Sequence, residues 1–252
     1  MMATTTTDTA GKEPITLCAS FHLVRYPAGA SAREGLSRMG LDRPLLGTVP
    51  GLRWWRLLGT GDGDRLTLSA DLRRWALLAF WQSPADLEAF IADHPISRRW
   101  DALGAERYDL RLATARAQGE WGRARFDVRG AATIEPDAPV AVLTRAAIRP
   151  TRLAAFWRAV PGPALDASGH PSLLAAVGIG DVPLLRQATF SVWDSLDGAR
   201  DYAYRRAAHR DVIDRRRDEQ WYSSELFARF LPLHATGTWA GHDPLAGRLG
   251  RG

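Results

Sequence analysis

Apolar residues run almost unbroken from Ile15 to Val24, and that run reads as a β-strand. Ser31 to Met39 reads as a short helix ended by Gly40. Leu52 to Thr60 predicts a second strand, closed by a Gly-Asp turn over 59–64. Trp75 to Trp81, almost wholly apolar, predicts a third. Ser83-Pro84-Ala85-Asp86 has the form of an N-cap with proline at the first helical position. It opens a helix through Phe90 towards Trp100. Arg107 to Ala115 predicts a fourth strand. The same order then returns, with strands at Val140–Ile148, Leu173–Val177, Leu185–Trp193 and Leu226–His234. The helices between them run from a Thr151 cap to Val160 and from a Ser195 cap through Tyr204, with a further helical stretch around His209 to Arg217.

Three anchors make the repetition explicit. Gly59-Thr60-Gly61-Asp62 recurs as Gly178-Ile179-Gly180-Asp181, Trp81-Gln82-Ser83 as Trp193-Asp194-Ser195, and Gly119-Glu120-Trp121 as Gly237-Thr238-Trp239. Self-similarity in fixed order marks tandem copies of one unit, here the size of a small domain. A β-α-β-β-α-β unit is ferredoxin-like, an antiparallel sheet with both helices on one face. Its open face needs cover, and two copies cover each other. The expected fold is therefore α+β, two tandem ferredoxin-like halves packed as an α+β barrel. The halves span 14–121 and 139–239, joined by a linker over 122–138, with a disordered leader (1–13) and a disordered tail (240–252).

Composition narrows the function classes. The net charge is +5, and Lys12 is the only lysine, so the positive charge is nearly all arginine. Basic residues are interleaved with acids, as in Arg215-Arg216-Arg217-Asp218-Glu219, which argues against nucleic-acid binding. Cys18 stands alone, excluding an internal disulfide and a multi-cysteine metal site and fitting a cytoplasmic setting. No run has the length of a membrane span, so any membrane contact is expected to be peripheral.

The glycine turns lack the spacing and the Lys-Ser/Thr of a phosphate loop and read as hairpins. There is no nucleophile elbow, and none of the six histidines has zinc-site spacing. His209 stands out, with Arg205, Arg206, Arg210 and Arg216 around it. It is either a surface or capping histidine or an axial haem ligand whose arginines pair the propionates.

Further runs carry a likeness. They are Pro139 to Ala146, Phe156 to Pro161, Val177 to Leu185, Gln187 to Trp193 and Trp221 to Phe230, with Met39-Gly40-Leu41, Pro50-Gly51-Leu52 and Trp55 to Gly61 in the first half. Together they resemble the spheroidene monooxygenase family over most of residues 15–240. That resemblance implies a haem b oxygenase that converts an unactivated C–H position to a keto group, with His209 as the iron ligand. Arg205, Arg206, Arg210, Phe190 and Trp193 would surround the cofactor, and Arg186, Gln187 and Arg145 are the expected donors to bound oxygen. The co-reactants implied are dioxygen or peroxide, an apolar or natural-product substrate and a ferredoxin-type electron donor; a homo-oligomer is a further expectation. The family carries a Phe-Lys pair before the Gly-Ile-Gly stretch where this chain has Ala175-Ala176, which puts the carotenoid specificity in question. Two other readings stay open: a haem enzyme using iron as a Lewis acid, in a dehydration or bond-forming reaction on a nitrogenous metabolite, and a non-catalytic barrel that carries haem or an apolar ligand.

Overall fold

The computed structural model describes residues 18–61, 70–130, 132–148, 169–182, 186–208 and 222–250. The first half contains β1 (Cys18–Arg25), α1 (Ala30–Leu46), β2 (Leu52–Gly61), β3 (Ala70–Trp81), α2 (Pro84–Asp93), α3 (Pro95–Leu103) and β4 (Glu106–Trp121). After β5 (Ala124–Arg129) comes the second half, with β6 (Val140–Ile148), β7 (Leu173–Val182), β8 (Arg186–Trp193), α4 (Leu196–Ala208) and β9 (Tyr222–Gly237). The helix expected from Thr151 to Val160 and the stretch from His209 to Arg217 lie outside the described residues.

Every strand pairing is antiparallel, and β1 pairs with both β3 and β4. The order β1-β3-β2-β7-β8-β6-β9-β4 therefore returns to β1 and closes an eight-stranded barrel, with β5 added on the free length of β4. The halves meet at two unequal seams. The β4–β9 seam runs from Tyr108↔Gly237 to Gly119↔Leu226, whereas β2–β7 has only Gly59↔Gly180 and Thr60↔Ile179. Inward residues of both sheets fill the barrel, led by Phe21 stacked on Phe190 with ring centroids 3.8 Å apart. Trp121 and Trp239, both buried, belong to the same core cluster.

The repeated Gly-x-Trp anchor has a backbone cause. Gly119 (φ +122°) and Gly237 (φ +87°) sit where the opposite strand comes closest. A Cβ would meet Glu225 O at 2.1 Å in one case and Arg107 O at 2.0 Å in the other. Only glycine fits both the dihedral and the approach.

Several boundaries move. Helix α1 does not stop at Gly40 but runs through Pro44, tied down by buried Leu46 and by the ion pair between the buried Asp42 and Arg99. The helix expected to continue past Phe90 breaks at His94, because Pro95 drives the preceding residue out of the helical region (ψ 138°). The linker holds β5, whose Ala124, Phe126 and Val128 point inward while Arg125, Asp127 and Arg129 alternate with them on the outer side. The tail is ordered to residue 250: Leu245 is buried, and Asp243 Oδ1 accepts from Tyr108 Oη at 2.8 Å. Finally, strand register makes Gly59 equivalent to Gly180, not Gly178, since both pair with the residue six before their tryptophan anchor.

Candidate functional site

Register gives each residue of the first half a counterpart in the second. Cys18 opposes Trp81 as Val140 opposes Trp193, and Leu52 and Leu173 oppose the same two tryptophans. The outer, helix-covered face of the first sheet thus aligns residue by residue with that of the second.

In the first half this face is filled. Trp81, Leu57 and Leu77 of the sheet pack with Phe90 of α2 and Trp100 of α3. What remains is a void of ≈ 20 Å³ lined by His22, Val24, Leu57, Trp75, Leu77 and Trp100 among others, about the space of one water molecule. Below it a polar network closes the sheet. His22 Nδ1 donates to Asp109 Oδ1 at 2.8 Å, Arg107 Nη2 lies 2.7 Å from Asp109 Oδ2, and Trp81 Nε1 donates to Ser20 Oγ at 2.8 Å.

At the matching positions the second half has smaller side chains. Thr144 stands for His22, Ala146 for Val24, Ala176 for Trp55, Gly178 for Leu57, Thr189 for Leu77 and Gln187 for Trp75. Gly178, Thr189, Thr144 and Phe227 form one cross-strand row over β7, β8, β6 and β9. That row spans three inter-strand steps, about 14 Å. Thr144 and Phe227 are exposed, and Leu196, Ala199 and Tyr202 of α4, together with Ile134, pack on this face against Val140 and Trp193. The described strand residues of this face thus form a shelf of small and threonine side chains, with Trp193 at one end.

His170 stands at that edge, where chain distance hid it: Asp201, its partner, is 31 residues away. Its Nδ1 accepts from Ser172 N at 3.2 Å, so Nε2 carries the proton and donates to Asp201 Oδ2 at 3.3 Å. The ring lies edge-on to Trp193 and Tyr202.

Strand parity divides the residues expected to form one site. Trp193 faces the shelf side, and its Nε1 donates to Ser191 Oγ at 2.9 Å. Phe190 does not: it points into the barrel and stacks on Phe21, so it is core rather than cofactor lining. Arg145 is likewise on the barrel side, opposite to Thr144. It is buried, donates from Nη1 to Glu120 O and Ser224 Oγ at 3.0 Å each, and lies over the Trp121 ring. Its place between two shelf positions removes it as a donor to that face. The Ala175-Ala176 pair divides in the same way, with Ala176 on the shelf and Ala175 against the barrel core. Gln187 shares the parity of Thr189, and Arg186 the opposite one. Arg205 and Arg206 fall in α4, whereas His209 and Arg210 lie outside the described residues.

The strands define a duplicated, single-chain α+β barrel whose outer face carries large side chains in the first half and smaller ones at the matching described positions of the second. No protein-family model matches the chain. It is 36% identical to spheroidene monooxygenase of Rhodobacter capsulatus over 92% of this chain and 96% of that protein. It is also 36% identical to spheroidene monooxygenase of Rubrivivax gelatinosus, over 79% of this chain and 75% of that one. A crystal structure of aldoxime dehydratase shares the fold, with a TM-score of 0.58 at 13% identity over 85% of this chain and 81% of that one. The chain belongs to the spheroidene monooxygenase family. That relationship makes it an oxidoreductase of the monooxygenase type. Among the described residues, no helix is long and apolar enough to cross a membrane.

Proposed function

We propose that the chain is a haem-dependent monooxygenase that inserts oxygen into an apolar natural-product substrate. The observation that carries this reading is the contrast between the two faces. The first half closes its face to ≈ 20 Å³, while the second replaces the same lining with Thr144, Ala146, Gly178 and Thr189. A porphyrin needs a flat face free of large side chains, and Gly178, Thr189 and Thr144 stand side by side there, with Phe227 at the end of the row. His209, the residue after α4, would hold the iron; Arg205, Arg206 and Arg210 would meet the propionates, and Trp193 would flank the ring. Bound there, haem supplies the iron at which dioxygen or peroxide is activated for transfer of one oxygen atom to a C–H bond, with electrons from a ferredoxin-type donor where dioxygen is used.

The chain's own groups do the rest. Thr144 and Thr189 offer hydroxyl hydrogens on the shelf, with Gln187 at the next position along β8. Ser191 Oγ already accepts from Trp193 Nε1, which fixes the indole at the edge. The apolar side chains of the shelf exclude water from the reacting carbon. The curated relatives carry spheroidene in their names. Here Ala176, where the equivalent first-half residue is Trp55, adds to the small-residue lining that would meet the apolar substrate.

Reconstitution with haem tests the reading. The wild type is expected to give a Soret band that shifts under carbon monoxide after reduction, and to incorporate labelled oxygen into product. His209→Ala should lose the band. Gly178→Leu with Thr189→Leu installs the first half's own pair, which its backbone accepts at these positions, and should weaken haem binding at least tenfold, while circular dichroism stays unchanged. Absence of a Soret band in the wild type, or unchanged haem affinity in the filled variant, would overturn the proposal.

A further inference from the structure

Next along the outer face of β9 from Phe227, three arginines stand in one cross-strand row. Arg129 of β5 pairs with Arg116 of β4, and Arg116 pairs in turn with Arg229 of β9. Arg200 of α4 joins them in lining a cleft of ≈ 380 Å³ with Ala115, Ala132, Ile134 and Leu196. Like charges placed directly opposite one another weaken a sheet, so the row calls for a compensating partner.

Among the described residues that partner is only half supplied. Arg129 Nε donates to Asp127 Oδ1 at 2.9 Å, and Arg200 Nη1 to Asp197 Oδ1 at 3.1 Å. Arg116 Nη2 donates to Gln118 Oε1, which carries no charge. Arg229 lies over the Phe227 ring, with its Nε buried and without a hydrogen-bond acceptor. Burial first, and then the charges of Arg116 and Arg200, push its pKa below the usual arginine value; the guanidinium nevertheless stays protonated at any physiological pH. Two positive charges, on Arg116 and Arg229, are thus left without a carboxylate beside an apolar wall.

We propose that this cleft is a binding site for a phosphate monoester that carries an apolar portion. A monoester brings close to two negative charges at neutral pH, matching the two unneutralised arginines, and guanidinium forks match its oxygens. Ile134 and Leu196 take the apolar part. Arg229 shares the outer face of β9 with Phe227, but none of the four arginines is among the groups assigned to haem.

Thermal unfolding of the full chain in inorganic phosphate, against chloride at equal ionic strength, tests the proposal. Phosphate is expected to raise the midpoint saturably. Arg229→Gln, and independently the more exposed Arg116→Gln, should weaken the phosphate response at least tenfold. Without phosphate, Arg229→Met should melt no lower than the wild type, since it removes a repelled charge. Co-sedimentation with vesicles containing phosphatidic acid, but not with phosphatidylcholine vesicles, and lost in Arg229→Gln, would place the monoester on a lipid. A response to free phosphate alone would make the ligand a soluble ester. No saturable rise in the wild type, or an equal rise in both glutamine variants, would overturn the site.

Discussion

Asp109→Asn probes the network that keeps the first half shut. One carboxylate there serves two buried partners, His22 on one oxygen and Arg107 on the other. Burial by itself pushes the Asp109 carboxyl up, but His22 and Arg107 outweigh it and hold the group down to about 2 from 3.8. At about 1.4 kcal/mol per unit, that depression contributes about 2 kcal/mol of stability at neutral pH. The folded value lies below the unfolded one. The contribution is therefore complete above the unfolded value and fades as pH falls through 4 towards 2, with about half gone near pH 3. Asparagine keeps one amide oxygen for His22 but loses the charge and the second acceptor, leaving Arg107 with the exposed Asp101, 2.6 Å away, as its remaining carboxylate. The expected cost at pH 7 is about 3 kcal/mol, at the lower end for a broken buried pair. Urea titrations of both proteins at pH 7, 4 and 3 measure it. The gap between wild type and variant should narrow by about 1 kcal/mol over that range. A gap of the same size at all three pH values would refute the assignment of the stability to an ionised, paired carboxylate.

Other consequences are equally direct. Gly119→Ala and Gly237→Ala each force a side chain into a positive-φ position against an opposing carbonyl, so each should cost about 3 kcal/mol in urea unfolding; a near-neutral alanine at either position would contradict the seam geometry. Leu245→Ala should cost about 3 kcal/mol and expose the last dozen residues to proteolysis, because that side chain is buried in the core cluster; protease resistance like that of the wild type would show that the tail does not depend on it.

The architecture was legible because it was written twice. Trp81 and Trp193 open the same helix caps, and Gly119 and Gly237 answer the same steric demand at opposite ends of one seam. The site was legible only in part. Adjacent letters such as Thr144-Arg145 and Ala175-Ala176 look like one local motif, yet the pleat sends them to opposite faces. Parity became readable once pairing fixed which residues met the core. The two-residue period of Ala124, Phe126 and Val128 is masked by Gly122, Arg123 and Gly130 around it. The tail's order depends on Tyr108, 135 residues away from Asp243, which no local pattern reports.

The pseudo-twofold relation between the halves also divides the molecule's features in two. The paired glycines and the two core tryptophans obey the relation, as they would have to in an ancestor whose two separate copies closed one barrel as a homodimer. The filled face and the open shelf break it, as does the arginine row built partly on β5, a strand without a described counterpart in the second half. In a homodimer every opened face appears twice, and both copies bear its destabilisation. Within one chain the two faces need not match, so one half can keep large outer-face residues for the stability of the whole barrel while the other carries smaller ones at the same positions.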